Sequence, residues 1–161
     1  MMTTIPSIAG HLPEHLIVAG LVAVGRWGAP RWGVGRTVEI ANYLATRPPL
    51  PFWSPLSPLP CGWGGVQWRA EIGRVAVLRA SGVIKGANCL HRAFALRIWL
   101  GSQGIPSRIV IGFRKREALE GHAWVEIPLE NDEVLTLFRS ETDGYREVAD
   151  EELILARLRF L

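Results

Sequence analysis

The stretch Gly86-Ala87-Asn88-Cys89-Leu90-His91-Arg92-Ala93-Phe94-Ala95-Leu96-Arg97-Ile98-Trp99-Leu100 places a cysteine where a helix should begin. Asn88 is a favoured N-cap residue and Gly86 permits a sharp entry. Leu90, Ala93, Phe94, Ile98 and Trp99 form one apolar face at helical spacing. Cys89 is therefore expected in the first helical turn, where free amide N–H groups and the positive end of the helix dipole favour a thiolate over a thiol. A lone cysteine more often serves as a small buried apolar residue, so the nucleophile reading needs a base nearby.

Downstream, Gly101 and Gly104 give helix end signals and Pro106 forbids continuation. Residues 107–114 read as a buried strand and 115–120 as an exposed turn. Two further strands, 122–127 and 134–138, read as a hairpin joined by Pro128-Leu129-Glu130-Asn131-Asp132. Antiparallel strands packed on the helix would bring the start of the second strand near the helix N-terminus, and His122 opens that strand in this reading. Its imidazole is the base that takes the proton of Cys89 and returns it to a leaving amine. His91 stands two positions from Cys89 and so points to another side of the helix, while His11 and His15 lie far upstream. A zinc site from Cys61, Cys89, His91 and His122 lacks the short paired spacings of structural zinc modules, so no metal and no cofactor is expected.

Upstream, residues 66–80 suit an amphipathic helix with Trp68, Ile72, Val75, Ala76 and Leu78 on its apolar side and Arg69, Glu71 and Arg74 in water. Residues 47–65 hold six of the eleven prolines and exclude helix or central strand. The aromatics Phe52, Trp53 and Trp63 argue that this connection packs on the protein, with docking of a partner as the sharper alternative. Cys61 lies within it without a helix start behind it and ranks below Cys89 as a nucleophile. Nearer the N-terminus, a helix from Leu12 to Gly25 carries Pro13 in its first turn, and its apolar run is about half of what a bilayer requires. Trp27 and Trp32 read as covering the core while the interleaved arginines reach water. A short helix spans Val38 to Ala45, and a C-terminal helix Asp150 to Leu158.

The chain has 161 residues, 48% of them hydrophobic and 20% charged, which reads as one globular domain. Its net charge of +3 comes from scattered arginines and gives little support to nucleic acid binding. Two cysteines and no secretory leader point to a reducing cytoplasm.

Three segments in order, Asn88 to Leu96, Gly104 to Arg114 and Gly121 to Glu126, resemble the lasso peptide biosynthesis B2 proteins of the transglutaminase-like superfamily. The resemblance implies an α+β fold with a transglutaminase-like, papain-like cysteine protease core, in which the cysteine-bearing helix packs on a small antiparallel sheet. It divides the chain into a helical N-terminal part (1–46), the Pro/Trp-rich connection (47–65) and the catalytic core (66–161). It also implies a peptidase that removes the leader from a ribosomally made precursor, with the cysteine on Cys89 and the histidine on His122. The implied partners are the leader peptide, a small separate leader-recognition protein and the lasso cyclase.

The family's third catalytic member is an aspartate on the returning strand, and no acid of this chain falls there. Glu126 shares a strand face with His122 but is about 13 Å along it at roughly 3.3 Å per residue, too far to orient the ring. Asp132 serves only if the hairpin loop is tight or bulged. Otherwise Thr136, a backbone carbonyl or water holds the imidazole. Two other functions fit the same fold: a non-catalytic module binding a peptide or partner, and an acyltransferase using the same two residues.

Overall fold

A computed structural model describes residues 12–47, 63–115, 119–138 and 145–147. Three helices, α1 (Leu12–Ala45), α2 (Trp63–Val83) and α3 (Cys89–Ser102), precede four strands, β1 (Arg108–Lys115), β2 (Leu119–Pro128), β3 (Val134–Leu137) and β4 (Arg146–Glu147). The antiparallel sheet has the order β3-β2-β1-β4, giving the α+β architecture that the sequence implied. Among the described residues no helix is long and apolar enough to cross a membrane.

Helix α3 is central because nearly all of it is buried, including Phe94, Leu96 and Leu100 at 0% exposure. Small residues let α1 lie against it. A side chain at Gly25 would meet the Phe94 ring at 3.1 Å, and one at Gly101 would meet the Ala45 carbonyl at 2.2 Å. Gly101 thus serves close helix packing, in addition to standing near the helix end where the sequence placed it. These contacts, with Arg97 donating to Asn42 Oδ1 at 3.2 Å, make α1 and α3 parallel. On the other side α2 runs antiparallel to α3, with Gly73 under Trp99 and Arg69 donating to Gln103 Oε1. The sheet closes the core through Ile109, Ile111, Ala123, Val125, Ile127 and Leu137.

Several local expectations need correction. The two N-terminal helices are longer than expected and meet at Gly33, whose non-helical backbone (φ 75°) kinks the run between them, and Pro30 lies inside the first. Trp27 is 69% exposed and only Trp32 packs on the core. In α2 two residues exchange sides: Arg69 is buried and Trp68 is 46% exposed. A charged head that finds a polar partner, here Gln103, overrides a polarity count along the helix. The helix also starts at Trp63, inside the segment read as connection. The connection up to residue 62, including Cys61, and the C-terminal helix expected at 150–158 lie outside the described residues. Strand β2 begins at Leu119, so His122 sits within it and not at its start.

Candidate active site

Helix α3 begins at Cys89 because Asn88 stops the chain in an extended conformation (φ −119°, ψ −175°) and caps it. Asn88 Oδ1 accepts from the His91 amide at 3.2 Å, and the Asn88 amide donates to His91 Nδ1 at 3.0 Å. This is a reciprocal capping box with an imidazole in the place usually held by Glu or Gln. Gly86 permits the entry: its φ of 82° suits glycine, and a side chain there would meet Arg26 Nε at 2.8 Å. Cys89 is a free, partly exposed thiol.

The box works only while Nδ1 has a free lone pair. Burial, and then the charge of Arg26, hold the His91 imidazole below its ordinary value of 6.5. As pH falls, the unfolded chain therefore takes up this proton before the folded one. The stabilisation is complete above about 6.5 and is lost as pH drops from there through the folded value. Thermal melts should show wild-type protein losing stability between pH 7 and 5 more steeply than His91→Gln, whose amide oxygen preserves the acceptor without titrating.

His122 lies on the sheet face opposite Ala123 and Val125. Its ring stacks on Trp124 (centroids 6.1 Å, 23°) and meets Tyr145 (5.6 Å), which enters beside β4. Trp124 Nε1 in turn donates to Glu126 Oε1 at 2.9 Å, and Arg108 pairs with Glu126 Oε2 at 2.7 Å. Glu126 is thus engaged elsewhere, in keeping with its distance along the strand.

The ring is held by the backbone. His122 Nε2 lies 2.8 Å from the Phe138 carbonyl oxygen. An oxygen without a proton can only accept, so Nε2 carries the hydrogen and the neutral ring keeps its lone pair on Nδ1. Phe138 follows the end of β3 and adopts φ 65°, a left-handed conformation that costs a non-glycine residue about 1–3 kcal/mol and is concentrated at functional sites. A backbone carbonyl, one of the options open from the sequence, thus holds the ring. Asp132 is excluded from that part: it is exposed at the hairpin tip beyond Pro128, on the order of 20 Å from His122 by strand rise. Thr136 faces Glu126 in the register.

Cys89 and His122 line one cavity of about 530 Å³ together with Glu71, Arg74, Leu78, Arg92 and residues 135–138. The geometry thus brings the two predicted site residues to one space and turns His91 away into the cap. Among the described residues no group of three or more His, Cys, Asp or Glu side chains is placed to hold a metal. Trp124, Tyr145 and Phe138 were not read as site residues. Trp124 could have been, since it lies two positions from His122 on the same strand face, whereas Tyr145 arrives through a two-residue strand with no pattern of its own.

Residues 67–150, just over half of the 161-residue chain, match the transglutaminase-like superfamily, and the chain belongs to it. Members are generally enzymes of the cysteine protease or transglutaminase type, which suggests peptidase or acyltransferase chemistry. No curated protein and no solved structure matches the chain.

Proposed function

We propose that the protein is a cysteine peptidase that removes the leader from a lasso peptide precursor, acting in the cytoplasm with a small separate leader-recognition protein and handing its product to the lasso cyclase. The observation that supports this is that Cys89, at a helix start, and His122, whose Nε2–H is tied to a carbonyl, line one cavity. Nδ1 of His122 takes the thiol proton as Cys89 Sγ attacks the carbonyl carbon at the leader junction. The proton then passes to the departing amine nitrogen, and water, activated by the same imidazole, releases the leader acid. His91 N–H is used by Asn88, and Arg92 N–H makes the first helical bond to the Asn88 carbonyl. The amides of Cys89 and Leu90 are therefore the donors for the oxyanion. The resemblance to the lasso B2 proteins supplies the substrate class.

Incubating the chain with a lasso precursor and the recognition protein should give one cut, with the two fragments together one water heavier than the precursor. Added primary amine separates the superfamily's two chemistries. A leader ending in a free carboxylate supports hydrolysis, and one ending in an amide of the added amine supports acyl transfer. An intact precursor with all components present would contradict both.

A further inference from the structure

The cavity shared by Cys89 and His122 holds a positive charge that the two residues do not account for. Its described lining carries two arginines, Arg74 and Arg92, against one carboxylate, Glu71. Arg74 is committed to Glu71 through hydrogen bonds of 2.7 and 2.6 Å, and this pairing raises its pKa. Arg92 is different. Its Nε is buried with no hydrogen-bond partner, and no ion pair joins it to another described residue. Two acids of the sheet pair elsewhere, Glu126 with Arg108 and Glu120 with Arg114. Buried polar groups normally find partners, and a guanidinium fork matches a carboxylate in shape and charge. Arg92 also stands three residues after Cys89 on the same helix, so the two side chains are neighbours, with Cβ atoms about 5–6 Å apart.

We propose that Arg92 is a specificity residue that binds a substrate carboxylate, an Asp or Glu side chain within about two residues of the scissile carbonyl at roughly 3.3 Å per extended residue. This deepens the peptidase reading and rests on Cys89 being its nucleophile. The site selects acidic peptides because an amide in that position leaves the guanidinium charge unanswered.

Iodoacetate and iodoacetamide test this without a known peptide. Each forms a bond from its CH2 carbon to Cys89 Sγ as iodide leaves, and they differ only in carboxylate against amide. The iodoacetate-to-iodoacetamide rate ratio, read by mass spectrometry on the Cys89 peptide of the full chain, should fall about tenfold in Arg92→Gln and largely return in Arg92→Lys. Should Arg92→Gln not fold, the wild-type ratio at low salt should exceed that of N-acetylcysteine by a similar factor. Equal ratios for wild type, variant and free thiol at a reactive Cys89 would overturn the role of Arg92 alone. A Cys89 inert to both reagents would overturn the nucleophile and this site together.

Discussion

Cys89→Ala is expected to abolish precursor cleavage, and His122→Ala to lower it about 10²- to 10⁴-fold, while both variants keep the wild-type circular dichroism. The losses follow from the separate tasks of sulfur and imidazole: one makes the bond to the carbonyl carbon, the other moves the proton both ways. A companion variant makes the result specific. Where a carboxylate orients the base, its amide replacement costs on the order of 10⁴-fold, because the ring is then held in the wrong tautomer. Here the acceptor is the Phe138 carbonyl, which has only one possible polarity. Asp132→Asn should therefore leave kcat/KM within about twofold, a surface-scale effect. A large loss in Asp132→Asn would mean that the hairpin tip folds back onto His122 during turnover.

Phe94→Ala is expected to destabilise the fold by about 3–5 kcal/mol, a large share of the roughly 5–15 kcal/mol of a typical domain. Phe94 is fully buried, lies over Gly25 of α1 and meets the Trp32 ring at 6.4 Å. The glycine that lets the helices approach cannot fill the space left behind, so the transfer loss and the cavity add. Urea denaturation would show a lower midpoint with an unchanged slope. Trp27→Ala should move the midpoint little, because that ring is 69% exposed. The two aromatic residues look equally suited to a core in the sequence, and only the packing of α1 on α3 separates them.

The start of α3 was legible because capping chemistry is local: Asn88, Gly86 and the apolar spacing after Cys89 act within a few residues of one another. The hairpin of β2 and β3 was legible for a similar reason, since alternation and the turn residues of 128–132 act over short distances. What could not be read depends on contacts between distant residues. Arg69 is buried because Gln103 meets it, and Tyr145 reaches His122 because β4 adds to β1. His91 looked idle because an imidazole is an unusual partner in a capping box, and its use requires the neutral form that burial favours. The acceptor for His122 was hidden most deeply, since a backbone carbonyl has no letter in the sequence and the turn at Phe138 that presents it breaks the usual preference of a non-glycine residue.

The role of Cys89 as nucleophile is tested most directly by catching the acyl intermediate. Wild-type protein mixed with precursor and recognition protein, quenched in acid within the first turnover and digested, should carry on the Cys89 peptide the mass of the leader acid less one water. Cleavage that proceeds with no such adduct on Cys89, or with the adduct on another residue, would contradict the account.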